Sequence, residues 1–236
     1  MEAVESIPKI SIHSDEAIDA LCRRIVVAVP FQDSRGVHPE LQDMLFRWKA
    51  SGVETIRFAN SGGFLDVVRA HAAHVFVGEH RDRDILVMID SDVVPEDPAS
   101  VIELATWEAP VVAAVCVIRN PKGELVANFA HQGPWGNRSP RLGQHDLPSQ
   151  GLVEAIWIGT GMVAIRREAL EKIVDPFLLP DSIRKEAVRT GVLAEAEDQY
   201  FSRQAREAGL QLFVDPAVRP EHYKVGPLAW KDADSK

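Results

Sequence analysis

Residues 84–92, Asp-Ile-Leu-Val-Met-Ile-Asp-Ser-Asp, constrain the fold more than any other stretch of this chain. The apolar run Ile85–Ile89 is short for a helix and the right length for a strand buried on both faces. Such a strand belongs to a sheet covered by helices above and below. The run stops at two carboxylates, Asp90 and Asp92, with only Ser91 between them. Burying an unpaired carboxylate is costly, so two at one strand end ask for a partner. A hard divalent cation would suit, since it takes oxygen ligands and keeps positions open for phosphate oxygens. The plainer alternative has Asp90 capping a nearby helix and Asp92 in a wet turn.

The rest of the first half repeats one unit. Ile25–Val29 is a β-branched run ending at Pro30, the pattern of a central strand. Leu41, Met44, Leu45 and Trp48 then follow helical spacing up to Gly52, and Thr55–Phe58 reads as a strand. Leu65, Val68, Ala72 and Val75 mark a second amphipathic helix before the Ile85 strand. Asp97-Pro98 opens a helix through Ile102 and Trp107, and 111–118 is the next expected strand. Before all of these, Ser14 with Asp15 and Glu16 predicts a short capped helix. Strand–helix alternation of this kind predicts an α/β fold, a mostly parallel central sheet with helices on both faces.

The second half is less regular. Residues 119–151 hold many Gly and Pro residues around Trp135, and an irregular segment of that length is usually functional or mobile. Val153–Ile158 resumes as a strand running into Gly159-Thr160-Gly161, followed by a short helix around Arg167–Ile173. Residues 176–196 are ambiguous. Tyr200, Phe201, Ala205 and Ala208 line one side of a helix that stops at Gly209. Residues 210–214 form the last expected strand, and the end of the chain is polar.

Composition narrows the function classes. With 236 residues, one large domain is expected over 1–236, with an N-terminal extension at 1–24 and a polar tail at 224–236. The net charge of -9 argues against general affinity for a nucleic-acid backbone. Cys22 and Cys116 sit in apolar settings and read as core thiols of a reducing compartment. No run approaches the length of a membrane span, and the start lacks the regions of a signal peptide. A soluble, cytoplasmic protein is expected.

Four stretches together resemble the GT-A-fold glycosyltransferases, in particular the small, non-processive members of the inverting family 2-like group. These are Val-Ala-Val-Pro-Phe at 27–31, Ile-Asp-Ser-Asp-Val at 89–93, Trp-Ile-Gly-Thr-Gly-Met-Val-Ala-Ile-Arg-Arg at 157–167, and Glu-Asp-Gln-Tyr-Phe-Ser-Arg-Gln-Ala-Arg-Glu-Ala-Gly at 197–209, followed by Val-Asp-Pro and His222. The second resembles the DxD motif of that group. The match covers about residues 25–223. It says nothing of the sugar, and the Gln-x-x-Arg-Trp motif of processive members is absent.

The resemblance implies transfer of a sugar from a nucleoside-diphosphate sugar to an acceptor hydroxyl, with Mn²⁺ or Mg²⁺ as cofactor and inversion at the anomeric carbon. It implies that Asp92 ligates the metal, that Asp90 contacts the ribose or the metal's shell, and that His222 is the third protein ligand. The chain must turn at Ser91 or Asp92 for these groups to converge. Read alone, a histidine after a strand is an ordinary surface or core residue. Asp198 is the expected general base and Glu197 its neighbour that positions acceptor or donor. If Asp198 is instead a helix N-cap, Glu197 becomes the base. Pro30, Phe31, Asp33, Arg69, Asp90, Ser91, Gly159 and Gly161 are the expected nucleotide-sugar contacts. Trp135 and Trp157 are candidates to stack on sugar rings, and Arg119 with the loop after it is placed at the acceptor. The acceptor class stays open among a glycan, a lipid-linked sugar, a protein and a modified nucleobase.

Three rivals share parts of this pattern. A haloacid-dehalogenase-like phosphohydrolase also ends an apolar strand in Asp-x-Asp and uses the first Asp as nucleophile. That class usually opens with the motif, which here comes about ninety residues in. A sugar nucleotidyltransferase needs a Gly-rich basic loop after its first strand, where this chain has Pro-Phe-Gln-Asp-Ser-Arg-Gly. A non-catalytic sugar-nucleotide-binding protein would not need the Glu197-Asp198 pair.

Overall fold

A computed structural model describes residues 7–32, 36–60, 65–119, 125–133, 136–138, 147–191 and 195–223. Asp33, Trp135, the tail at 224–236 and the first six residues lie outside them. The helices of the described residues are α1 (Asp15–Cys22), α2 (Pro39–Ala50), α3 (Leu65–Glu79), α4 (Ala99–Thr106), α5 (Arg167–Glu171), α6 (Asp181–Thr190) and α7 (Glu197–Glu207). The strands are β1 (Ile25–Gln32), β2 (Glu54–Asn60), β3 (Ile85–Ile89), β4 (Val93–Val94), β5 (Val111–Ala114), β6 (Val117–Arg119), β7 (Leu125–Ala127), β8 (Phe129–Gly133), β9 (Gly136–Arg138), β10 (Val153–Ala155), β11 (Trp157–Ile158), β12 (Met162–Arg166), β13 (Leu212–Asp215) and β14 (Glu221–His222).

Seven strands form the main sheet in the order β10-β13-β5-β12-β3-β1-β2. β1, β2, β3, β5 and β13 run one way, while β10 and β12 run against them. β3 is buried along its whole length, as its unbroken apolar run requires. Alternate residues serve opposite faces. Ile25, Val27, Val29, Ile85, Val87 and Ile89 pack with Leu41, Leu45 and Trp48 of α2 and with residues of α1 and α4. Val26, Ala28, Leu86 and Met88 pack with Val68, Ala72 and Phe76 of α3 and with residues of α5 and α7. Helices therefore cover both faces, as expected. No helix among the described residues is long and apolar enough to cross a membrane.

The order β3-β1-β2 places a topological switch point at β1 and β3. The chain leaves β1 toward β2 on one side and returns to β3 on the other, and the carboxyl ends of such strands are where open α/β sheets form their ligand crevices. Pro30 is tolerated in β1 because the β1–β3 ladder has already ended at Ala28–Met88.

The second half departs from the reading by pattern. The expected strand at 111–118 breaks at Val115-Cys116. β5 stays in the main sheet, while β6 turns away to pair with β7. The expected strand at 153–158 breaks at Ile156, with β10 joining β13 and β11 joining β8. Met162–Arg166, which by pattern leads into a helix, is β12, wedged antiparallel between β3 and β5. Its helix, α5, ends at Glu171. The ambiguous 176–196 segment contains α6, which buries none of its residues. Ala208, expected on the apolar side of α7, is exposed and lies past the helix end, where Gly209 turns the chain at φ +77°. β14 has no counterpart in the sequence pattern, and it pairs antiparallel with β4.

Candidate functional site

The carboxyl end of β3 closes in a tight turn, with the Val93 N–H donating to the Asp90 carbonyl at 3.0 Å. This is the bend expected at Ser91 and Asp92. The turn is pinned on three sides. The Asp90 N–H donates to the Gly161 carbonyl at 2.8 Å, the His38 N–H to the Ser91 carbonyl at 2.9 Å, and the Tyr223 N–H to the Asp92 carbonyl at 2.7 Å. The β4–β14 pairing sets His222 opposite Val93, which brings its ring to the turn. His222 Nε2 lies 3.5 Å from Asp92 Oδ2, and Nδ1 lies 3.3 Å from the Val117 carbonyl. The Asp92 carboxylate holds the imidazole pKa above its ordinary value, against the effect of burial.

This pair fits a divalent cation. Two donors each about 2.1 Å from a common ion stand roughly 3.0–3.4 Å apart, close to the observed separation. A ring whose other nitrogen faces a carbonyl is the usual outer-shell arrangement of a metal-bound histidine. The expected three-ligand set is not formed, however. Among the described residues no three Asp, Glu, His or Cys side chains gather around one point. Asp90 Oδ1 is paired with the guanidinium of Arg69.

Arg69 lies next to Asp90, another of the expected nucleotide-sugar contacts. It sits in the middle of α3, is 2% exposed, and bridges Asp90 at the end of β3 to Glu197 at the start of α7. Its Nε is buried and has no hydrogen-bond partner among the described residues. Sequence spacing makes a mid-helix arginine look solvated, and only the bridge between α3 and α7 shows otherwise. Burial pushes the Asp90 carboxyl up, while the Arg69 charge pulls it back down.

Asp198 does not cap α7 from outside. It is the second residue of the helix, and its Oδ1 accepts the Gln199 N–H at 2.7 Å. Burial first, and then the charge of Glu197, push its pKa up to about 6, with Arg69 opposing. A carboxylate tuned toward neutrality at a strand-end crevice is suited to proton transfer. Glu197, held by Arg69, is the less free of the two.

The glycines of the 157–167 stretch are required by the chain itself. A Cβ at Gly159 would stand 1.7 Å from Asn128 Nδ2 and 2.9 Å from the Asn128 carbonyl oxygen. One at Gly161 would stand 3.0 Å from Cys116 Sγ. The close approach expected of a sugar is made in this structure by those two residues. Gly159→Ala is therefore expected to cost about 1–3 kcal/mol of stability by overpacking, and Gly161→Ala less, as a pair of thermal melts would show. Nothing in the local pattern around Asn128 signals this packing role.

Pro30 and Phe31 lie at the carboxyl end of β1, opposite Phe58 and Ala59 of β2, and Phe31 is partly exposed there. Trp157 is half-buried in β11. Asp33, Trp135 and the side chain of Arg119 lie outside the described residues. A separate cleft of about 390 Å³ lies by the opposite end of β3, lined by Arg24, Asp84, Arg166 and Arg167 among others. Its guanidinium groups are taken up by Asp84 and by backbone carbonyls.

No protein-family model matches the chain, and no curated protein matches it. Among solved structures, the fold is similar to that of A197 from STIV, with a TM-score of 0.55 and 21% identity over 85% of each chain. Looser likenesses include GalNAc-T7 with UDP, GalNAc and Mn²⁺ (TM-score 0.49, 12% identity, 84% of this chain and 42% of that one). Another is a glucose-1-phosphate thymidylyltransferase from Bacillus anthracis (TM-score 0.44, 12% identity, 81% and 86%). These last two are too loose to bear on the chemistry of this chain.

Proposed function

We propose that this chain is a metal-dependent glycosyltransferase of the GT-A fold, moving a sugar from a nucleoside-diphosphate sugar to an acceptor hydroxyl. One observation carries the reading. At the switch point of the sheet, a pair suited to a cation, Asp92 and His222, and a proton-accepting carboxylate, Asp198, stand at opposite ends of one connected group of charges. Asp92 and His222 would hold Mn²⁺ or Mg²⁺, which when bound supplies Lewis-acid neutralisation of the diphosphate leaving group. Pro30 and Phe31 border the same crevice, and with Asp33 they are the proposed nucleobase contacts.

The chain's own residues divide the remaining work. Asp198 Oδ1 is engaged by the Gln199 N–H, which leaves Oδ2 to accept the proton of the attacking hydroxyl. Glu197 and Arg69 hold the first turn of α7 against the end of β3, so that base and donor site keep a fixed relation. Direct displacement asks for one base and inverts the anomeric carbon, which is the proposed outcome.

The phosphohydrolase reading fits less well. Its nucleophile would be Asp90, whose carboxylate is tied to a buried arginine and is poorly placed to attack.

A thermal-shift screen of UDP, GDP, CDP and dTDP sugars, with and without Mn²⁺, tests the proposal. A ligand at 100 times its dissociation constant stabilises by about 2.7 kcal/mol, which for a chain of this length is roughly 5–10 °C in Tm. A metal-dependent shift of that size with one of the four is expected. Equal melting with all four, whether Mn²⁺ is present or not, would reject the proposal.

A further inference from the structure

Ser202 lies on α7 and is completely buried, and no sequence pattern marks it out. Its hydroxyl donates to the Asp198 carbonyl, one turn back, at 2.7 Å. Taken alone, that bond is the ordinary habit of a serine inside a helix. The second bond is not local: Ser202 Oγ accepts the Ile158 N–H of β11 at 3.1 Å, across 44 residues of sequence. β11 leads directly into Gly159-Thr160-Gly161, whose last carbonyl accepts the Asp90 N–H. A hydrogen-bonded path thus runs from the backbone of Asp198 through Ser202 and residues 158–161 to the turn that carries Asp90 and Asp92. It is separate from the Arg69 bridge, which joins side chains.

We infer that Ser202 is a positioning residue for Asp198, docking the first turn of α7 on β11 so that the carboxylate is held at a fixed distance from the Asp90–Asp92 turn. The inference rests on the transferase reading for its consequence but not for its geometry. A serine hydroxyl suits this double role because it donates to one backbone group while accepting from another. With the dock loosened, Asp198 moves toward solvent, away from the groups that face it. These are Glu197 on its own helix, Arg69 of α3 and Asp90 beyond β3.

Two measurements test this. In the first, Ser202→Ala is expected to lower kcat tenfold or more while the KM for the sugar nucleotide stays within twofold. The acid limb of its pH–rate profile should move toward the ordinary carboxylate range. Ser202→Thr, which keeps the hydroxyl, should restore both. The second needs no turnover. The stability difference between the parent and Asp198→Asn, followed from pH 4 to 8, reports the titration of Asp198, and Ser202→Ala should shift that curve toward lower pH. If Ser202→Ala does not fold, Ser202→Cys, which keeps much of the volume and weakens both bonds, carries the same comparisons. A curve and a pH profile unchanged by loss of the hydroxyl would overturn the inference. Failure of the transferase reading shows up separately, as parent protein that turns over no sugar nucleotide while the titration comparison still reads out the role of Ser202.

Discussion

Asp198→Asn is expected to slow sugar transfer by about 10² to 10⁴-fold and at the same time to stabilise the folded protein at neutral pH. The two effects have one cause. Burial and the neighbouring Glu197 charge raise the Asp198 pKa from 3.8 to about 6, so the ionised form that catalysis needs is the form that folding disfavours. The sign follows from linkage. The folded state holds the proton more tightly than the unfolded chain, so stability is greatest below pH 4 for this group and is lost as pH rises through 6. The ionised carboxylate then costs on the order of 1–3 kcal/mol at pH 7, and an asparagine escapes that cost. Denaturant melts of parent and variant at pH 5 and pH 8 should show the gap widening at the higher pH. Parent activity should rise tenfold per pH unit below about 6 and level off above it. A variant that is less stable than the parent at pH 8, or that keeps full activity, would remove Asp198 from the role of base.

Arg69→Met should give the largest loss of stability of any single change at the site. The guanidinium is the counter-charge for Asp90 and Glu197, both largely withdrawn from water. Removing one partner of a buried charge pair typically costs about 3–5 kcal/mol, or roughly 6–20 °C in Tm for a chain of this length. Methionine fills much of the same space, so the loss is electrostatic more than steric. Two further measurements separate the causes. The deficit should shrink at pH 5, because burial pushes the Asp90 carboxyl up and, without the Arg69 charge, favours its uptake of a proton. It should also shrink in the double variant Arg69→Met with Asp90→Asn, which leaves one stranded charge in place of two. Arg69→Lys should restore only part, because an ammonium cannot span both carboxylates with the planar fork of arginine. A loss under 1 kcal/mol that does not change with pH would mean the triad is wetter than the geometry indicates.

How far the sequence can be read differs from element to element. α2 and α3 are legible because their apolar residues recur at the helical period, and β1 and β3 because an unbroken apolar run of strand length is buried on both faces. β12 has four apolar residues and then Arg166, with no turn residue separating Arg166 from Arg167, so local pattern does not set it off as a strand of its own. β14 is two residues long and carries no period at all. Its existence is a matter of pairing with β4, and so is the arrival of His222 beside Asp92. The resemblance of motifs singles out His222, but the route by which the chain brings it to Asp92 lies in no local pattern.

Local residue patterns suffice for the layered α/β architecture and for the pair of carboxylates at the end of β3 that asks for partners. Both follow from burial along short segments and from the cost of leaving carboxylates unpaired. Which carboxylate goes with which partner is settled only when the chain packs. Packing joins Asp90 to Arg69 and Asp92 to His222, and it docks Asp198 through Ser202 in a half-buried place. Charge pairing depends on distances of a few ångström between segments 21 residues apart or far more, and such distances exist only once the sheet has assembled.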